Sequence, residues 1–111
     1  MPAQTILIQG ESLGRGDEQL GKLLMASFLR LMGESPEKPA RLILWNGGVR
    51  LACEGSPVLD HLMKLEGQGV EILACTTCLE FFELMEKLKV GHSTTMLKSI
   101  QTMLAGGVNC L

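Results

Sequence analysis

The sequence predicts an α/β fold: a parallel sheet in a three-layer arrangement with helices on both faces. Short apolar runs alternate with segments of helical period, and the connections between successive runs are too long for hairpins. The first run is continuously apolar, as expected of a strand buried on both faces. The crossovers should be right-handed. The 111 residues suit a single domain over 1–111, large enough to bury a core without crosslinks.

Thr5 to Gln9 reads as the first strand and ends at Gly10. After the loop Gly10 to Gly16, either Gly16 or Asp17 caps a helix. Its apolar positions Leu20, Leu23, Leu24, Phe28, Leu31 and Met32 fit one face of a 3.6-residue period. Gly33 closes that helix, and Ser35 to Pro39 connects it to a second strand, Arg41 to Trp45. Asn46-Gly47-Gly48 is a turn that tolerates positive φ, and Val49 to Cys53 is expected to form one helical turn. Ser56 is the expected N-cap and Pro57 the first residue of a helix carrying Val58, Leu59, Leu62, Met63 and Leu65. The third strand is Val70 to Ala74. It is followed by a helix carrying Leu79, Phe82, Leu84, Met85 and Leu88. Lys89-Val90-Gly91 is a very short strand or a loop. Thr94 or Thr95 caps a last helix with Met96, Leu97, Ile100, Met103 and Leu104, broken by Gly106-Gly107, and Val108 to Leu111 is a minimal final strand. No repeat, low-complexity tract or second domain is visible.

Formal net charge is −2 with no basic stretch, which gives nucleic-acid binding no electrostatic support. Apolar residues make up 46% and charged residues 20%, so the surplus apolar surface is expected to be buried against a partner. No apolar run approaches the ~20 residues that span a bilayer, and no signal peptide is legible, since Met1-Pro2-Ala3-Gln4 leads directly into the first strand. The four cysteines, Cys53, Cys75, Cys78 and Cys110, lie on or beside regular elements rather than in a loop-rich scaffold. A reduced, cytoplasmic setting is therefore expected.

The most informative stretch is Val70 to Glu80. It reads as a buried strand that stops, places two thiols in a short turn, and opens a helix. Thr77 and Glu80 have the spacing of a capping box, which would make Thr77 the N-cap and Cys78 the first helical residue. A sulfur there would sit beside unpaired N–H groups, and its pKa should fall below the roughly 8.5 of a free thiol. The same pair also fits two semi-buried cysteines at a strand end, behaving as plain hydrophobes.

In open parallel sheets functional groups gather at the carboxyl ends of the strands. Gly10 to Gly16, Asn46 to Arg50, Cys75 to Cys78 and Gly91 to Thr95 are expected there. One crevice would then hold Cys78 and Cys75 as catalytic thiols, with Asn46, Gly47, Gly48, Arg50 and Thr77 as anion- or substrate-binding groups and His92 as a proton carrier. The bland alternatives are a solvated Arg50 and an exposed loop His92. His61 reads as a boundary residue, Cys53 and Cys110 as core or edge cysteines, and the methionines as core. Gly14-Arg15-Gly16-Asp17 lacks the spacing of a phosphate loop, and its acidic residues oppose a phosphate. Cys75 and Cys78 supply only two zinc ligands. No metal or cofactor is expected.

Five stretches, Leu13 to Gly21, Gly47 to Ala52, Glu54 to Leu59, Gly69 to Leu73 and Cys75 to Leu79, together resemble the DsrE/DsrF-like domain of YedF-type proteins. These are described as selenium-metabolism or sulfurtransferase-like, and the resemblance covers nearly the whole chain. It implies a flavodoxin-like, DsrE/F-like fold and homo-oligomers, often trimers or hexamers. It also implies a persulfide carried on Cys78, with Cys75 as the neighbouring thiol. Two departures stand out. Thr76-Thr77 replaces the family's Gly-Thr, and a threonine does not allow positive φ at the first turn position. The TusA-like domain that usually precedes this one does not appear in the sequence.

The resemblance implies a sulfur-relay carrier, for sulfane sulfur or selenium, working between donor and acceptor proteins, a TusA-like partner among them. Two other classes stay open: thiol–disulfide redox chemistry at Cys75/Cys78, and a non-catalytic oligomeric binding module. Against the redox class, the usual Trp before the pair and Gly-Pro between the thiols are missing.

Overall fold

A computed structural model describes residues 4–111; Met1, Pro2 and Ala3, read above as the lead into the first strand, lie outside them. In chain order the elements are β1 (Gln4–Ile8), α1 (Glu18–Glu34), β2 (Arg41–Leu44), a 3-10 stretch (Asn46–Ala52), α2 (Leu59–Gly67), β3 (Glu71–Cys75), α3 (Thr76–Phe81), a 3-10 turn (Met85–Lys87), β4 (His92–Thr94), α4 (Met96–Leu104) and β5 (Gly107–Cys110). All strand pairs are parallel, in the order β4-β3-β2-β1-β5. This is the predicted α/β architecture, with a flavodoxin-like arrangement.

The register aligns Ile6, Leu42 and Ile72 in one row and Ile8, Leu44 and Ala74 in another. These rows share a face of the sheet, because side chains alternate along each strand and match across parallel neighbours. Met25 and Leu29 of α1 and Leu62 and Leu65 of α2 pack onto that face as a single buried cluster. Leu7 and Ile43 point to the opposite face and are also buried. There α4 lies against β5 and shields part of the sheet. The β3–β4 half of this second face is left as an open groove of about 790 Å³.

Helix α1 starts where expected: the Asp17 side chain accepts from the Leu20 N–H at 2.8 Å and is the N-cap. Its buried face differs from the predicted one. Of the predicted positions, Phe28 and Met32 pack partly buried against the core, but Gly21, Met25, Leu29 and Gly33 form the buried face, while Leu20, Leu23, Leu24 and Leu31 are 47–68% exposed. Gly21 explains the rotation. A Cβ there would lie 1.9 Å from Ser12 Oγ and 2.9 Å from Leu13 O, so the helix presses its glycine side, and not its leucines, against the preceding loop. Helix α4 behaves similarly. Thr95 caps it, accepting from the Lys98 N–H at 3.2 Å. Only Ser99 is buried, whereas Leu97 and Leu104 face outward.

Three boundaries also differ. Ser56 accepts from the Val58 N–H at 3.2 Å and closes a turn, so α2 begins at Leu59 instead of Pro57. The helix after the thiols stops at Phe81 because Glu83 turns the chain at φ 58; Leu84 still reaches the core without being helical. The segment read as a strand or loop at Lys89–Gly91 is not in the sheet. Leu88 bridges Cys53 and the Lys89 N–H donates to Ala52 O, so β4 forms only after Gly91. Gly91 has φ 76, and a Cβ there would sit 2.3 Å from Ile72 O.

Candidate functional site

β3 runs into α3 with no intervening loop, so Cys75 ends the strand and is also the N-cap of the helix. The Thr76 hydroxyl donates to Thr94 O at 3.0 Å and ties the helix start to β4. The helix therefore begins at Thr76. The Thr77–Glu80 capping box does not form: the helix has no side-chain cap, and Cys78 is its third residue instead of its first. The outcome for the two thiols is unequal burial. Cys75 is buried, and Cys78 is half-buried with its sulfur at the surface of a small hollow.

The turn after β2 supplies the partner for that sulfur. Trp45 donates its N–H to Ile8 O at 3.0 Å, and Gly48 donates to Trp45 O at 2.9 Å, which folds the chain tightly over the end of β1. Gly48 is required for this approach, since a Cβ would stand 2.4 Å from Ile8 O. Asn46 takes up the left-handed conformation, φ 53, that asparagine tolerates better than most residues. Its N–H then donates to Cys78 Sγ at 3.1 Å.

A hollow of about 260 Å³ lies over the sulfur, lined by Asn46, Thr77, Cys78, Phe81 and Phe82. The two rings meet edge to face, 5.3 Å between centroids at 87°. The Arg50 guanidinium sits 4.4 Å above the Phe82 ring. Arg50 thus joins the site through a cation–π contact, behind the aromatic wall. Gly47 and Gly48 shape the turn and do not line the hollow. His92 is in β4, on the other face of the sheet, where it lines the groove with Thr94 and Lys98. The expected crevice therefore gathers Asn46, Thr77 and Cys78, with Cys75 beneath, and excludes His92.

The electrostatics also depart from expectation. Burial pushes the Cys78 thiol above its ordinary value; the Asn46 N–H opposes this, while hydrogen bonding and charge interaction with Cys75 add to it. The direction is opposite to the expected lowering because partial burial and the neighbouring Cys75 thiol outweigh the Asn46 N–H. Burial likewise raises Cys53, against the opposing charge of Arg50. Cys53 donates to Val49 O at 3.2 Å and is a core cysteine, and Cys110 is exposed on the edge strand β5.

Phe81 was not foreseen as part of the site. The signal was the adjacent pair Phe81-Phe82: neighbours on a helix point about 100° apart, so both rings cannot enter the core. Among the described residues no group of three or more His, Cys, Asp or Glu is placed to hold a metal ion, and no helix is long and apolar enough to cross a membrane.

No family model matches the chain, and no curated protein does. Solved structures do. The ychN protein of E. coli superposes with a TM-score of 0.77 at 19% identity over 100% of both chains. MTH1491 of Methanobacterium thermoautotrophicum, a protein of unknown function, gives 0.74 at 18% over 100% of both. BT1422 of Bacteroides thetaiotaomicron, a conserved protein of unknown function, gives 0.61 at 14%, covering 96% of this chain and 94% of that one. At these identities the likeness is one of fold.

Proposed function

We propose that this chain is a sulfur-relay carrier of the DsrE/DsrF-like, YedF-type kind, holding sulfane sulfur as a persulfide on Cys78. The observation that carries the reading is the setting of Cys78: a half-buried sulfur in an open hollow, with a backbone N–H aimed at it from 3.1 Å and a second thiol buried behind it. In loading, the Cys78 thiolate attacks the outer sulfur of a donor persulfide. A Cys78 S–S bond forms, the donor S–S bond breaks, and the donor leaves as thiolate. In delivery, an acceptor thiolate attacks the same outer sulfur and Cys78 leaves. No net oxidant is consumed. The Asn46 N–H stabilises the anionic sulfur in both steps. Selenium would follow the same displacement.

The raised pKa makes thiolate scarce in the free chain, so loading is fastest where a partner supplies positive charge. Donor and acceptor are cytoplasmic proteins on this reading, and a TusA-like protein fits the role. The exposed leucines of α1 and α4 support self-association into a homo-oligomer.

A thiol–disulfide reading draws on the contact between Cys75 and Cys78. The burial pattern weighs against it, since the first cysteine, which is the nucleophile in that class, is the inaccessible one. The deciding experiment is intact-mass analysis after exposure to inorganic polysulfide, on a chain carrying Cys110→Ser so that the exposed thiol on β5 takes no sulfur. The expected result is a one-sulfur adduct that survives Cys75→Ala and is lost in Cys78→Ala. An adduct that persists in Cys78→Ala, or none in the parent chain, ends the relay reading.

A further inference from the structure

We propose that the surface around Cys78 docks a basic protein segment, one that carries its own cysteine beside an apolar residue and lysine or arginine side chains. The inference rests on the reading of Cys78 as the reacting sulfur. Two neighbouring features along α3 and the turn after it carry it.

The first is aromatic. Phe81 is 81% exposed, yet it is held edge to face against Phe82, whose ring lies under Arg50. A large exposed ring beside a reacting sulfur offers apolar area to bury on association, and aromatic rings of this kind anchor interfaces. It stands at the rim of the sulfur hollow, where the apolar neighbour of an incoming cysteine would rest.

The second is charge. A cleft of about 420 Å³ is lined by Glu80, Glu83, Met85, Glu86 and Lys87. Three carboxylates stand there against one ammonium. None is in an ion pair: the ion pairs among the described residues are Arg30–Glu34 and Arg41–Glu71. Met85, 42% exposed, offers an apolar wall for the methylene stem of a lysine or arginine. Charge complementarity therefore selects the occupant. An acidic segment, or a small anionic thiol such as glutathione, meets like charge.

The test uses the full chain carrying Cys110→Ser, which removes the exposed thiol on β5, with Cys78→Ser as the baseline. Two synthetic peptides each hold one cysteine beside a leucine, activated as a thiopyridyl disulfide; one is flanked by lysines, the other by glutamates. Cys78 attacks the peptide sulfur, a protein–peptide disulfide forms, and thiopyridone leaves and is read by absorbance.

The lysine peptide is expected to react roughly tenfold faster at low salt, with the advantage shrinking as salt rises. It should reverse in the E80K/E83K/E86K variant, and Phe81→Ala should slow both peptides. Equal rates for the two peptides, or a preference untouched by charge reversal, overturns the proposal. The exchange needs only a thiol at Cys78. A chain that fails to hold sulfur but keeps the peptide preference would end the relay reading and leave the docking surface standing.

Discussion

The Asn46 N–H and the Cys78 sulfur, 32 residues apart in sequence, meet at 3.1 Å and join the turn after β2 to the helix after β3. Both parallel strands end at the same edge of the sheet, so residues just beyond them are neighbours. Asn46 takes the left-handed conformation at this point, φ 53, and its N–H is the one backbone donor to the sulfur among the described residues.

Asn46→Gly should keep that torsion without a steric penalty, and with it the stability and the Cys78 alkylation rate of the parent chain. Asn46→Val should cost about 1–2 kcal/mol and change the alkylation rate, because a β-branched residue resists φ 53. Thermal unfolding and iodoacetamide labelling followed by mass spectrometry check both. A valine variant as stable as the parent would show that the turn is not under this constraint.

Alkylation of Cys78 should rise with pH through a midpoint above that of an ordinary thiol, since burial and Cys75 both hold it protonated. Cys75→Ala should move the midpoint down by removing the second cause. The sign for stability follows from linkage: a pKa raised by folding gives stabilisation that is fully present below the unfolded-state value and is lost as pH rises through the folded one. Denaturant midpoints in mildly alkaline buffer should therefore fall for the parent and less for Cys78→Ser.

Gly48→Ala should destabilise the chain by roughly 1–3 kcal/mol, because its Cβ would meet the Ile8 carbonyl at 2.4 Å and neither backbone can yield cheaply. Gly47→Ala is the control. Its Cβ comes no closer than 3.7 Å to Gly10 and should be tolerated. Urea denaturation of the pair measures the difference, and equal midpoints would contradict the packing described.

Leu23→Glu on α1 should leave the fold's own stability within about 0.5 kcal/mol, since Leu23 is 68% exposed. If α1 covers a second copy, the same change should shift the sedimentation profile from oligomer to monomer. An unchanged profile would move the self-association surface elsewhere, with α4 and Leu97→Glu the next to examine.

The elements were legible where local chemistry acts alone. Asp17 and Thr95 cap helices through their own side chains, and the strand runs around Ile6, Ile43 and Ile72 are apolar enough to be buried wherever they pair. The thiol turn was also legible as a strand end with two cysteines. Its capping box was not realised, because the Thr76 hydroxyl finds the Thr94 carbonyl on a neighbouring strand, a partner set by sheet order. The inward face of α1 is legible only in part, at Phe28 and Met32, for a related reason. Hydrophobic period reports which residues avoid water, and Gly21 decided which side could come closest to the Ser12 loop.

By itself the sequence determined the α/β class, the alternation of elements, and the presence of two sulfurs where a buried strand gives way to a helix. These follow from side-chain hydrophobicity and from capping groups a few residues apart. Tertiary structure alone decided that Cys75 is shut in and Cys78 accessible, that Asn46 reaches the sulfur, and that His92 stands on the opposite face of the sheet. Those outcomes depend on strand order and on contacts between residues far apart in the chain, which no local pattern encodes.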